Sequence, residues 1–340
     1  MKIVTSTGFG FTGSTAITDL ISEYEGVQTC AVPGYELKFF HDVKGIFHLY
    51  NYLVRCNIPS AKHYAIRDYY NRCAEWATVG TKMNYEIFFN GHFMEYTNDY
   101  IKELGGEDFF VVHDFSHMTA TQKLLYRVAG KVHKTIGDRI YGGGYAEMKT
   151  KPLTLFSEEI NHYLYSVDEK SFDEITKRYM MRLFEGIQEQ QIINMHELIP
   201  INMIDECSKY FDNVAIIATE RDPRDIFLTA RHKWATLDYP CEDVEVFCKY
   251  YRWLRKLLKQ EKKKEILRIQ FEDLVYHYED CVKKIEEFVG LDEAMHVRKK
   301  TRFIPELSSK NCNLKRIYVE EQENIEYIEK ELSEWIYDFG

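Results

Sequence analysis

The run Lys2-Ile3-Val4-Thr5-Ser6-Thr7, continuing directly into Gly8-Phe9-Gly10-Phe11-Thr12-Gly13-Ser14-Thr15, constrains the fold more than any other stretch of this chain. Its opening is β-rich, its middle is rich in glycine, and Ile17, Leu20, Ile21 and Tyr24 then recur at helical spacing before Gly26. The pattern predicts a strand, a tight loop and a helix. Three more β-rich runs, VQTCAVP from Val27, NVAIIATE from Asn213 and EILRIQFEDL from Glu265, alternate with helical patterns. Such alternation predicts an α/β fold, a parallel β-sheet flanked by helices.

From about Gly45 to Asn202 the pattern changes to tyrosine-rich helical segments with glycine breaks such as YGGGY. We read 46–202 as a large, mainly helical insertion and the whole chain, 1–340, as one domain, because no Pro/Ser-rich linker separates two cores. Near the end, Ile325, Ile328, Leu332 and Trp335 predict a helix packed by one face.

Composition narrows the functional classes. A formal charge of −10 argues against a protein that coats nucleic acid or an anionic membrane, although a local basic cleft stays compatible with it. The eight cysteines are scattered from Cys30 to Cys312 without a C-x-x-C pair, which fits reduced thiols. No signal-like segment precedes the first strand and no run reaches membrane-spanning length, so the expectation is a cytoplasmic protein with no membrane insertion and no nucleic-acid partner. With 25 tyrosines, aromatic rings serve core packing or line an apolar or sugar-stacking acceptor pocket.

The loop has the chemistry of an anion cradle. Glycines allow positive φ and close backbone approach, the amides of the following helix start point outward, and Thr12, Ser14 and Thr15 add hydroxyl donors. Gly8 and Gly13 have the separation seen in nucleoside-triphosphate loops, yet Ser14 stands where those loops carry the lysine that reaches the β/γ-phosphates. A glycine-rich turn that serves packing alone has the same outline.

A second element lies in ATERDPRDIFLTARHKW. Asp222 caps a predicted helix that starts at Pro223, so Arg221 stands at a strand end and Thr229 lies two turns into the helix. Here the sequence resembles the sulfotransferases that use 3′-phosphoadenosine 5′-phosphosulfate (PAPS). The resemblance implies a P-loop-like sulfotransferase core, with Gly10, Phe11, Thr12, Gly13, Ser14 and Thr15 at the 5′-phosphosulfate and Arg221 with Thr229 on the 3′-phosphate. ILRIQFEDLVYHYEDCVKKIEEFVGL is similar to the family's late strand and helix, and SSKNCNLKR to its late basic loop, which implies Lys310 and Asn311 as further cofactor contacts. GYELKFFHD is similar to the acidic residue and Phe-Phe-Asp run of glycan-modifying members, where the glutamate is the base; Glu36 matches it, and His41 is an extra residue before Asp42. The family's loop carries a cation where this chain has Phe11.

The expected activity is therefore transfer of a sulfuryl group from PAPS to a hydroxyl or amine acceptor, leaving adenosine 3′,5′-bisphosphate (PAP). A carbohydrate is preferred over phenols, sterols or small alcohols, and the acceptor, a small molecule or a glycan, is assigned to the insertion. Glu36 is the candidate base, Lys38 a candidate replacement for the missing cation, and His41, His113 and His117 rival bases. His113 and His117 are four apart but lack further ligands, so no metal is expected. A small-molecule kinase and a silent nucleotide-binding protein are the competing functions.

Overall fold

The computed structural model describes the chain apart from residues 30–35, 79–83, 107–108, 115–117, 141–157, 188–191, 235–238 and 259–264. The elements run β1 (Lys2–Thr7), α1 (Ser14–Ile21), β2 (Val27–Thr29), α2 (Ile46–Leu53), α3 (Pro59–Thr78), α4 (Tyr85–Phe88), α5 (Phe93–Gly105), β3 (Phe109–Asp114), α6 (Ala120–Ile140), β4 (Glu158–Tyr163) and α7 (Glu169–Glu185). They continue with β5 (Ile192–His196), α8 (Ile204–Ser208), β6 (Val214–Glu220), α9 (Pro223–Thr229), a π-helical turn (Ala230–Trp234), α10 (Val244–Leu258), β7 (Ile266–Gln270), α11 (Phe271–Tyr276), α12 (Tyr278–Val289), α13 (Pro305–Ser308) and α14 (Gln322–Glu331).

The main sheet has the order β2-β5-β1-β6-β7 and every pairing in it is parallel. Alternate residues of its strands enter different cores, as a pleat of period two requires when both faces are covered. Ile3, Ile216 and Ala218 pack with α2, α3, α5 and α7 on one side. Val4, Ala215 and Ile217 pack with α1, α11 and α12 on the other. A third cluster joins α9 and α10 to α14 through Ile226, Phe247, Ile325, Ile328 and Leu332.

Helices α2 to α5 and α7 form a helical layer, in which Tyr69, Tyr85, Tyr100 and Tyr179 are core residues. Their hydroxyls are buried at no loss where partners exist: Tyr100 pairs with Thr176 at 2.9 Å and Tyr179 with Thr97 at 2.8 Å. The span 46–202 is not helical throughout. It holds the antiparallel pair β3 and β4, and its last part supplies β5, which lies between β2 and β1 in the main sheet. The run IINMHE around β5 is too short to show periodicity, and its pairing with β1, from Lys2↔Ile192 to Ser6↔His196, bridges a long sequence separation.

This topology gathers the chemistry at one edge. In an open parallel sheet, ligands bind outside the carboxyl ends of the strands. Gly8 follows β1, Glu197 follows β5, Arg221 follows β6 and Phe271 follows β7. Glu36 joins them through an isolated parallel bridge to His196.

Candidate active site

The loop after β1 closes on itself: Thr12 donates from both its amide (3.2 Å) and its Oγ1 (2.8 Å) to the Phe9 carbonyl. A Cβ on Gly8 would lie 2.1 Å from Thr12 Oγ1, and one on Gly13 would lie 2.5 Å from Phe271 Cδ2. Gly13 also has φ 90° as the N-cap of α1, a conformation that side chains disfavour. Phe11 sits at φ 64°, an uncommon place for a bulky residue and one that directs its ring toward Tyr239 in the third core, with 6.0 Å between centroids. The site thus uses the backbone of Phe11, whose carbonyl accepts from Arg221 Nη1 at 2.7 Å.

Arg221 is buried and spans three groups. Besides Phe11, its Nη2 donates to Thr229 Oγ1 at 3.2 Å and to the Asn311 carbonyl at 2.5 Å. The eight-residue separation brings Arg221 and Thr229 together because Asp222 caps α9, accepting from the Arg224 amide, and Pro223 opens the helix. Asp225, in the first turn of α9, accepts from the amides of Asn313 and Leu314, both at 2.7 Å. That carboxylate ties the late loop to the helix and so sets the Asn311 carbonyl against Arg221. Burial pushes the Asp225 acid up to about 6, against the pull of Arg221.

Beneath the loop stands a pair that the sequence did not single out, His196 and Glu197. Glu197 Oε1 accepts from the Gly8 amide (2.9 Å) and Ser14 Oγ (2.7 Å), and Oε2 accepts from Thr7 Oγ1 (3.0 Å). Burial pushes this acid up to about 8 despite those three donors. Its φ of 50° places another non-glycine residue in the left-handed region. His196 Nε2 lies 2.9 Å from Ser14 Oγ and 3.2 Å from Thr15 Oγ1, and its Nδ1 is 3.9 Å from Glu36 Oε1. Burial, with His41 nearby, lowers His196 to about 4, so its imidazole is neutral at ordinary pH. His41 is likewise lowered, by the protein packed around its partly exposed ring and by Lys38 in addition.

These groups line one cleft of roughly 890 Å³, within the size range of ligand sites. Of the residues expected from sequence, Gly10, Phe11, Gly13, Ser14, Thr15, Glu36, His41, Arg221, Thr229 and Asn311 reach it. Thr12 turns its hydroxyl to Phe9 instead. Lys38 and Lys310 are exposed and lie outside the lining. The lysine that does line the cleft is Lys233, on the π-helical turn, where it donates to Asn311 Oδ1 at 2.8 Å. Partial desolvation of this exposed side chain and the neighbouring Arg221 lower its ammonium. His113 lies on β3 and His117 outside the described residues.

Residues 107–295 match the sulfotransferase family, more than half of the chain and a span that includes Arg221 and Thr229. The chain belongs to the sulfotransferase family. The match opens inside the helical insertion. Among solved structures, this sulfotransferase is similar to the sulfotransferase domain of the Synechococcus PCC 7002 olefin synthase at 13% identity and a TM-score of 0.39, covering 100% of this chain and 95% of that one. It is also similar to sulfotransferase STF9 of Mycobacterium avium, at 13% identity and a TM-score of 0.35 over 87% of this chain and 66% of that one. No curated protein matches the sequence. No helix among the described residues is long and apolar enough to cross a membrane.

Proposed function

We propose that this sulfotransferase takes its sulfuryl group from PAPS and transfers it to a hydroxyl or amine acceptor, with a carbohydrate hydroxyl preferred, in the cytoplasm. The observation that carries the donor assignment is the joining, in one cleft, of a glycine-rich anion cradle with a buried arginine held by Thr229. Among the described residues, Arg221 Nε has no hydrogen-bond partner although it is buried. A buried guanidinium N–H without an acceptor is costly, and a phosphate oxygen of the donor satisfies it. The scattered cysteines, without a C-x-x-C pair, accord with a reducing compartment.

Each residue then has a defined task. Ser14, Thr15 and the loop amides hold the 5′-phosphosulfate end, and Arg221 with Thr229 holds the 3′-phosphate. Lys233 supplies the positive charge that Phe11 does not. Bound there, the donor supplies an activated sulfuryl group, whose bond to the 5′-phosphate oxygen breaks as the acceptor oxygen bonds to sulfur. Glu36, which lines the cleft, accepts the acceptor's proton; His41, which lines the same cleft, is the alternative base. His196 positions the loop hydroxyls, and its other nitrogen stands 3.9 Å from Glu36 Oε1, beyond hydrogen-bond length. The preference for a carbohydrate rests on the similarity of the Glu36 segment to glycan-modifying sulfotransferases.

The test is PAP release from PAPS with a panel of oligosaccharides, phenols and amines, on the wild type, Glu36→Gln and His41→Ala. The expected result is release with a carbohydrate, reduced about 100-fold or more in kcat by Glu36→Gln with PAP affinity unchanged. Unchanged turnover in Glu36→Gln together with loss in His41→Ala moves the base to His41. No release with any acceptor contradicts the donor assignment.

A further inference from the structure

The excursion between α5 and α7 carries a helix whose surface has no use in the cleft. α6, Ala120–Ile140, is exposed or half-exposed at every position whose side chain is described. Leu124, Val128 and Val132 form a row four residues apart, with exposures of 61%, 52% and 53%, and Leu125 lies beside it at 49%. Solvated helices do not ordinarily present such a row to water. The next row round the helix is Lys123, Arg127 and Lys131, all exposed. Residues 120–140 contain five lysines and arginines and a single acid, Asp138, in a chain of formal charge −10.

An apolar row beside a basic row is the pattern of a helix that lies in the plane of a membrane interface, apolar side down and cations among the headgroups. We propose that α6 docks this protein on an anionic lipid surface, lying in the interface without spanning it. Charge complementarity selects this occupant. The remainder of the chain is acidic in sum and is repelled by such a surface, so α6 sets the orientation of approach. A second copy is the less favourable occupant, because a two-fold pairing through Leu124, Val128 and Val132 sets two basic rows along the edges of one interface.

The experiment is flotation of the full chain with vesicles of phosphatidylcholine alone and of phosphatidylcholine mixed with phosphatidylglycerol. Binding is expected only to the mixed vesicles, and it weakens as salt is raised. The double variant Leu124→Asp/Val128→Asp and, separately, the triple variant Lys123→Glu/Arg127→Glu/Lys131→Glu are each expected to lose about ten-fold or more of the vesicle affinity. Their circular dichroism and PAP affinity should match the wild type, since none of these side chains lines the cleft. Absence of binding to mixed vesicles overturns the proposal. So does equal binding to both vesicle types, or a wild-type dimer that becomes monomeric in the double variant while vesicles are ignored.

Discussion

Ser14 Oγ donates to Glu197 Oε1 at 2.7 Å, joining the first residue of α1 to the residue that follows β5 directly under the anion cradle. A carboxylate in that place opposes an anionic donor, and a neutral acid does not. Burial raises Glu197 to about 8, so the acid is protonated below that pH and charged above it. PAP affinity in the wild type should therefore fall as pH rises through 8, by about ten-fold per pH unit at most, and the fall should vanish in Glu197→Gln. Calorimetric titration across this range checks it; parallel profiles for the two proteins would remove Glu197 from donor binding.

The three acceptors around Arg221 make its planar fork hard to replace. Lysine has a single ammonium and cannot reach Phe11, Thr229 and Asn311 together with a phosphate. Arg221→Lys is expected to weaken PAP binding by about 30-fold or more, equivalent to roughly 2 kcal/mol, whereas Thr229→Ala costs about 1 kcal/mol. Near-native binding by Arg221→Lys would show that charge alone matters there.

Gly13 is fixed twice, by φ 90° and by the Phe271 ring. Gly13→Ala should lower stability by about 1–3 kcal/mol in denaturant unfolding and abolish PAP binding. Adding Phe271→Ala removes the clash but not the backbone strain, so binding should stay impaired. Full recovery in the double variant would assign the glycine to packing alone.

Asp225 latches the late loop to α9 through the Asn313 and Leu314 amides. Asp225→Ala leaves both without their acceptor and should cost about 2–4 kcal/mol of stability, together with a loss of PAP affinity as Asn311 leaves Arg221. The acid's value rises from 3.8 to about 6 on folding. Its ionised form is therefore favoured in the unfolded chain, and this group removes stability as pH rises from 3.8 to about 6. Thermal unfolding of Asp225→Asn should lack that decline.

Much of this arrangement was legible in the chain. The loop after β1 and the RDPRD segment announce themselves through local rules, glycine at a tight turn and an Asp-Pro helix start, and those rules place Arg221 and Thr229 in the folded protein. His196 and Glu197 were not legible, because β5 is short and takes its place by pairing with β1, to which it is distant in sequence. A buried polar residue after a strand shows its meaning only once its partners are known. Lys233 was hidden for a similar reason. It lies one turn beyond α9 in an ordinary basic run, and only the π-helical turn and Asn311 direct it into the cleft. Lys38, close to Glu36 in sequence, is exposed instead, with its amide held by the Tyr85 hydroxyl.

The donor proposed for this cleft is a 3′-phosphorylated adenylyl sulfate. The most direct test of that proposal is calorimetric binding of PAP against ADP and ATP on the wild type and on Arg221→Ala, with the fold of the variant verified by circular dichroism. Clear preference for PAP is expected, and its loss in Arg221→Ala. Preference for ATP, or the same PAP affinity in a well-folded Arg221→Ala protein, would contradict it.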